Sequence, residues 1–452
     1  MSQPAVTAAA SRDGGEGEGE REDAGEVRAV SPFERLPDEL LLAILEQVHL
    51  KTPLLKRNRL AALAANKRIY RLAQLVAFRA VGPSSPEKQA VILSGLFARH
   101  RLHPFVRSLA YEYSPVHVTY DTSLIPLFAH LSTLTLTLKP TVLGEPLAVP
   151  AAFTAMLKRL TRLTRLSFAR GPWFNFEDKA FHLGQDLPTV RTLEFEDGYP
   201  DDDSVLQLLA SGTSIEHLSF SFEGNELGQQ FYSHLPWASL KSLKLEVLED
   251  MLLPRREALL SSLRSVIFPT VAGDPIKLPL TSLCLGGWPL GLKDAHEPTG
   301  LGSESLTELF RLLVHSQLKD LRLFYPDQPL LNIKRDVTLP SVFSLTLSGE
   351  HGGSLDPVDL PALPYLLRVF PHLQQLVLDE LLVDGYVSKR QPAHKLSRAF
   401  LPLHYPSMAA LIAFASTTQL LQVDWTQSGQ KVTLRWTRAS PADEFKLERY
   451  RR

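Results

Sequence analysis

At 452 residues the chain is longer than one hydrophobic core normally organises, so it must fold as several domains or as a stacked repeat. Apolar residues make up 44%, and Lys+Arg 48 nearly cancels Asp+Glu 49, which excludes a global electrostatic pull toward nucleic acid or an anionic membrane. A single cysteine, Cys284, excludes an internal disulfide, a cysteine-based zinc site and a dithiol relay. Without a secretory start or an apolar run of bilayer length, the chain is expected in the reducing cytoplasm or nucleus.

Residues 1–30 are rich in Ala, Gly and Glu and contain no aromatic side chain, so they cannot offset their ordering entropy by burial; a disordered leader is expected. Gly15, Gly17 and Gly19 mimic a phosphate loop, but no strand precedes them and Glu16 and Glu18 would repel phosphate. The next stretch reads FERLPDELLLAILEQV, with Leu40, Leu41, Ile44, Leu45 and Val48 at helical spacing. Pro37 suits the first helical position, and Asp38 and Glu39 complement the positive end of the helix dipole. Two further apolar segments, Leu54/Leu55/Leu60/Leu63 and Ile69/Leu72/Val76, precede the break at Gly82-Pro83-Ser84-Ser85-Pro86. Three short helices bury little among themselves, so an exposed apolar face is expected.

The Leu-Pro-Asp-Glu-Leu start at Leu36, the Ile44-Leu45 pair, Arg68, Tyr70-Arg71-Leu72-Ala73 and Phe78-Arg79 together resemble an F-box. The resemblance departs from the family in its basic, proline-containing middle, HLKTPLLKRNR, and in lacking the usual Cys-Arg pair and terminal Trp. It implies that residues 31–82 dock on a Skp1-like adaptor of a cullin ubiquitin ligase complex through Leu36, Pro37, Leu40, Leu41, Ile44 and Leu45. Ala90 to Leu109 is similar to the helix and first strand that follow the F-box in many fungal F-box proteins.

From residue 100 onward, apolar residues recur at i, i+3 and i+5. The triplets are Val106/Leu109/Tyr111, Leu131/Leu134/Leu136, Leu163/Leu166/Phe168, Val190/Leu193/Phe195, Ile215/Leu218/Phe220 and Leu240/Leu243/Leu245. They continue as Leu263/Val266/Phe268, Leu280/Leu283/Leu285, Leu318/Leu321/Leu323, Val342/Leu345/Leu347, Leu373/Leu376/Leu378 and Leu420/Val423/Trp425, with Leu396/Ala399/Leu401 a weaker member. Alternation with polar residues makes each triplet a short strand with one buried face. Helices are expected between strands, one with a capping box of Ser305 and Glu308, one capped by Asp203, and one over Met408 to Ala415.

The expected fold is therefore α/β: an all-helical F-box, then an irregular leucine-rich-repeat solenoid with parallel strands on the concave side and helices outside. The solenoid is assigned to residues 83–418, and the last repeat with a β-hairpin cap to 419–452, where the turn is Thr426-Gln427-Ser428-Gly429. The leucine-rich consensus carries an Asn at the ninth position, and here that place holds Lys139, Gly171, Gly198, Glu223, Leu248 or Trp288, so an irregular arc is expected. The step from Leu263 to Leu280 reads as short and that from Leu285 to Leu318 as long.

No Walker loop, nucleophile elbow or His-Glu-x-x-His motif occurs, so no catalytic residue, cofactor or metal is expected. His351-Gly352-Gly353 reads as a turn, His100 and His103 as solvated or capping histidines, and Asp201-Asp202-Asp203 as an acidic loop. Cys284 reads as an ordinary surface thiol. The outward strand positions Arg165, Glu194, Glu196, Lys244, Glu246, Arg322 and Phe324 are the expected target-binding residues, as solenoids bind with such surfaces.

These readings converge on a non-catalytic substrate-recognition subunit that presents a protein target to a ubiquitin ligase, with neither nucleic acid nor membrane as partner. The alternatives are a stand-alone leucine-rich-repeat scaffold or inhibitor, and a GTPase-activating repeat protein using Arg165 or Arg170 as an arginine finger.

Overall fold

The computed structural model describes residues 35–51, 66–82, 100–113, 125–138, 147–178, 180–200, 214–222, 229–247, 253–269, 274–285, 301–324, 337–348, 367–379, 418–426 and 432–451, with isolated residues between some of these runs. Leu54 to Leu63, Asp201 to Asp203, His351 to Gly353, Leu396 to Leu401 and Gln427 to Gly429 lie outside them, as does the leader. The chain divides into two compact units, Met1–Val76 and Ala77–Arg452.

In the first unit, α1 spans Asp38–Lys51 and α2 begins at Lys67, continuing to Arg79 across the division. The Pro37 carbonyl accepts the first helical bond, from Leu41 N–H at 3.1 Å, so Pro37 is the residue before the helix and not its first member. Asn66 caps α2, its side-chain oxygen accepting the N–H groups of Arg68 and Ile69 at 3.0 Å. Arg68 ties the two helix starts together: Nε donates to Asp38 at 2.7 Å and Nη2 to the Leu36 carbonyl at 2.7 Å.

The second unit is mixed α/β and holds one long, mostly parallel sheet, compatible with a leucine-rich-repeat solenoid. Its strands are β1 (Ala80–Val81), β2 (Ser108–Tyr113), β3 (Thr133–Leu138), β4 (Leu147–Val149), β5 (Arg165–Phe176), β6 (Thr192–Pro200), β7 (His217–Phe222) and β8 (Ser242–Val247). They continue as β9 (Ser282–Leu285), β10 (Asp320–Phe324), β11 (Ser344–Ser348), β12 (Gln375–Asp379), β13 (Gln422–Thr426), β14 (Val432–Thr437) and β15 (Lys446–Arg451). Sheet order follows chain order, except that β4 pairs with the far half of β5. Pairing is parallel up to β13 and antiparallel for β13–β14 and β14–β15. Nothing in the sequence reading anticipated β15.

Each strand start is fixed by its predecessor. The Arg107 carbonyl accepts the N–H groups of both Ser132 and Thr133, and Ser132 does the same for Thr164 and Arg165. Thr164, Arg191, Glu216, Lys241, Thr281, Lys319, Phe343 and Gln374 repeat this, with N···O distances between 2.7 and 3.1 Å. Where the ladder residue is Ser or Thr, its hydroxyl can add a further donor, as Thr164 does to Ser132 O at 3.1 Å and Thr281 to Lys241 O at 3.0 Å. The preceding turn recurs too: Val106, Leu131, Leu163, Val190, Val342 and Leu373 each donate to the carbonyl three residues back.

This register aligns the leucines, with Leu134, Leu166, Leu193, Leu218, Leu243, Leu283, Leu321, Leu345 and Leu376 forming one buried row. At the i+5 place Phe168, Phe195 and Phe220 stack nearly parallel, at centroid distances of 5.2 and 4.6 Å. Helices α3 (Ala151–Lys158), α4 (Leu183–Asp186), α5 (Gln229–Ser233), α6 (Leu253–Ile267) and α7 (Leu301–Leu313) fall between strands. Behind β8, Trp237 Nε1 donates to Ser262 Oγ at 2.9 Å and that hydroxyl donates to the Tyr232 carbonyl at 2.5 Å, a buried polar chain with both donors satisfied.

Several expectations need correction. Leu263, Val266 and Phe268 do not form a strand, because α6 runs through Ile267, burying Leu263 and leaving Phe268 45% exposed. The short step from Leu263 to Leu280 thereby disappears: the strand before β9 is β8, and α6 belongs to the connection. Ser305 cannot cap α7, because that helix already begins at Leu301. His103 is not solvated; it is buried, with Nε2 2.8 Å from the Leu96 carbonyl.

At the C-terminal end Arg438 is buried and donates to five carbonyls, those of Leu420 (2.8 Å), Ser416 (3.1 Å), Pro441 (2.6 Å), Ala415 (3.1 Å) and Thr418 (2.7 Å), with Phe445 against its guanidinium. Five donors in a planar fork meet five acceptors, which an ammonium cannot reproduce. Arg438→Met should therefore destabilise the second unit by at least about 3 kcal/mol, because buried carbonyls lose charge-assisted bonds, and Arg438→Lys should recover only part of that. Chemical denaturation of the three proteins checks it; equal midpoints would remove Arg438 from this role.

A second prediction concerns Lys158, whose ammonium lies 3.5 Å from Asp178 and 3.3 Å from Asp186. Burial works to lower its pKa, but the bonds and charges of Asp186 and Asp178 overcome this and raise it. For Asp178 burial works upward, while the Thr154 hydroxyl, the Ala180 N–H and Lys158 bring the carboxyl below its ordinary value. A depressed carboxyl pKa stabilises the folded state above its unfolded value and loses that contribution as pH falls through the folded one. Lys158→Met should thus raise the Asp178 pKa in a carboxyl NMR titration and flatten the acid side of the stability profile; an unmoved pKa would count against the pairing.

Candidate protein-interaction surfaces

On α1 the apolar stripe splits into two ridges. Leu41 and Leu45 are buried, whereas Leu40, Ile44 and Val48 remain 52%, 41% and 42% exposed. The exposed ridge, with Leu36, Ala43 and Gln47, lines a shallow apolar groove. Of the residues expected to meet an adaptor, Leu40 and Ile44 are therefore available, Leu36 is half-buried, Pro37 is exposed, and Leu41 and Leu45 serve as core. The six residues therefore differ in exposure along one helix and its start. Val48, Ala43 and Gln47 were missing from the expected contact set, although Val48 continues the i, i+4 spacing of Leu40 and Ile44.

On the sheet, Ser167, Glu194, Ser219, Lys244, Cys284 and Arg322 occupy one outward row, each in register with the next. The structure brings Arg165 and Glu194 together: Nε and Nη2 of Arg165 lie 2.9 and 2.7 Å from Oε2, which also accepts the Ser167 hydroxyl at 2.7 Å. Glu194 is thus an internally paired carboxylate with a side chain only 16% exposed, while Glu196, in register with Ala169 and Ser221, is exposed. An Arg165 tied to Glu194 is also poorly placed to act as an arginine finger. Glu246 and Phe324 hold outward register positions opposite Ser221 and Ser348, but their side chains lie outside the described residues, as does that of Arg170.

Cys284 differs from expectation. It stands in the outward row between Lys244 and Arg322, yet it is only 8% exposed and is not a surface thiol.

The ladder edge, one residue before each strand, carries its own charges. Lys241 Nζ lies 2.6 Å from Glu216, and Arg191 Nε lies 3.8 Å from the same carboxylate. The Lys241 bond, helped by the charges of Lys241, Arg191 and His217, lowers the Glu216 pKa against the opposing effect of burial. Among the described residues no cluster of His, Cys, Asp or Glu could hold a metal ion, and no helix is long and apolar enough to cross a membrane.

No protein-family profile matches the sequence, and no curated protein matches it. Among solved structures, the chain is similar to one described as TLR13 in complex with ssRNA13, at 14% identity and a TM-score of 0.31, over 61% of this chain and 43% of that one. It is also similar to one described as the Rad7 and Elc1 complex in yeast, at 15% identity and a TM-score of 0.34, over 80% of this chain and 92% of that one. The chain thus spans less than half the length of the first. Likenesses this loose establish neither a shared function nor a shared partner.

The Arg165–Glu194 pair yields a prediction about stability. Its arginine side chain is 49% exposed, so solvent screens the attraction, and a double-mutant cycle of Arg165→Met and Glu194→Gln should give a coupling of no more than about 1 kcal/mol. Either single variant should leave the sheet folded. A coupling of several kcal/mol would mean that the pair is a structural anchor and not a half-solvated surface feature.

Proposed function

We propose that the chain is a non-catalytic receptor subunit, in which the F-box-like segment docks on a Skp1-like adaptor of a cullin ligase and the repeat unit holds a protein target for ubiquitination. The observation that carries this reading is the uncovered ridge of Leu40, Ile44 and Val48 on the helix whose sequence resembles an F-box. Three large apolar side chains in line on one helix face are the form in which a helix presents itself to a partner, because water solvates them poorly.

The repeat unit supports the second half of the proposal. Its buried rows are uniform and its outward rows vary from strand to strand, which suits a surface that recognises one shape and charge pattern. The receptor's contribution is then proximity: holding the target near a ubiquitin-loaded enzyme raises effective concentration and asks no side chain of this chain to react. Such a role belongs to the cytoplasm or nucleus.

The ridge gives the test. Leu40→Asp with Ile44→Asp should abolish capture of a purified Skp1-like adaptor by the full chain while leaving its denaturation midpoint nearly unchanged. Leu41→Asp should instead unfold the helical unit. Full capture by the folded ridge variant would overturn the adaptor reading and favour a stand-alone scaffold.

A further inference from the structure

In three consecutive units the residue immediately before the first apolar residue of the triplet reaches back to the unit before it. Thr189 donates its hydroxyl to the Leu163 carbonyl at 2.7 Å, Ser214 to Val190 at 3.1 Å, and Ser239 to Ile215 at 2.7 Å, each reaching back to the same place in the preceding unit. The two units before these lack this bond. Their equivalent residues are His130 and Arg162, which meet each other, with Arg162 Nη1 2.5 Å from His130 Nδ1.

Cationic groups collect at this point. Arg107, on the adjacent ladder row, is exposed, as is Arg162, and His130 is half-buried. Burial, followed by the charges of Arg162 and Arg107, lowers the His130 pKa. Among the described residues no acidic side chain pairs with Arg107, Arg162 or His130. The nearby hydroxyls are already committed, Ser132 to the Arg107 carbonyl at 3.1 Å and Thr164 to the Ser132 carbonyl at 3.1 Å.

The bond itself fixes the imidazole tautomer. An Nδ1 that accepts from Arg162 carries no proton, so the ring proton sits on Nε2. Arg162 thus meets the ring, and Arg107 lies near enough for its charge to act on it, with no acidic side chain paired to the three among the described residues.

We infer that Arg107, His130 and Arg162 form a binding site for a phosphate monoester dianion. Guanidinium forks match phosphate oxygens in pairs, and a doubly charged group suits two arginines and a histidine that gains its proton as the anion arrives. The inference stands apart from the adaptor reading, since all three residues lie in the repeat unit and neither result bears on Leu40 or Ile44.

The test follows His130 by NMR on the full chain, with the imidazole signal assigned through its loss in His130→Gln. Inorganic phosphate should raise the His130 pKa saturably, where chloride at equal ionic strength does not. Arg162→Gln should raise the pKa without phosphate and, like Arg107→Gln, weaken the phosphate response about tenfold. A phosphoserine peptide that acts at lower concentration than inorganic phosphate, with its unphosphorylated counterpart silent, assigns the site to a protein-borne phosphate. Equal action of the two phosphates would overturn the monoester assignment, since the site would then take any free oxyanion. Identical titrations in phosphate and chloride, or a response that survives both arginine substitutions, would overturn the site.

Discussion

The two-donor carbonyl at each strand start is the interaction on which the second unit depends. One oxygen, from Arg107 through Gln374, receives two successive N–H groups of the next unit and so fixes where the next strand begins. Strand side chains alternate with a period of two, so a slip of one residue would turn every leucine of that strand outward. The ladder and the leucine rows therefore enforce the same register from two directions. Because the ladder joins only neighbouring strand starts, the chain between them can lengthen without disturbing it, as it does between Lys241 and Thr281, where α6 is inserted.

A backbone ladder makes almost no demand on residue type. Its positions hold Arg, Ser, Thr, Glu, Lys, Phe and Gln, and the unit forms without the asparagine that the leucine-rich consensus places after the strand. Side chains at that edge are thus free to serve other ends. Glu216 and Lys241 pair across units, while Thr164 and Thr281 reinforce the ladder itself. The outward strand rows have the same freedom, which is why Arg165 and Glu194 can pair there while the buried row beside them holds Leu166 and Leu193.

What the sequence made legible follows from this division. The leucine triplets revealed the parallel strands because burial selects residue type at those places. Leu263/Val266/Phe268 misled because i and i+3 share a face on a helix as well, and only the outward Phe268 betrays the difference. Cys284 misled because alternation predicts direction and not cover: it stands in the outward row, in register with Lys244 and Arg322, and is still buried. The ladder and the five carbonyls around Arg438 left no trace, since main-chain acceptors carry no residue signature. The candidate sites were legible as sets of residues but not as arrangements. Nothing in the chain order announces that His130 and Arg162 are neighbours or that Arg165 neutralises Glu194.

The same limit explains α1. Successive helical residues turn by about 100°, so Leu40, Ile44 and Val48 form one ridge and Leu41 and Leu45 the next, and a hydrophobic stripe two ridges wide requires cover from two directions. Periodicity establishes the width but cannot say which ridge is covered. In the structure Leu41 and Leu45 are covered and the other ridge is bare. Arg68 holds the start of α1 through Asp38 and the Leu36 carbonyl, bonds made at the helix terminus. The helix is therefore anchored at its start, while Leu40, Ile44 and Val48 stay exposed on its side. A side chain buried for folding and one left exposed in the same leucine-rich stripe have different consequences when replaced, and only their positions around the helix distinguish them.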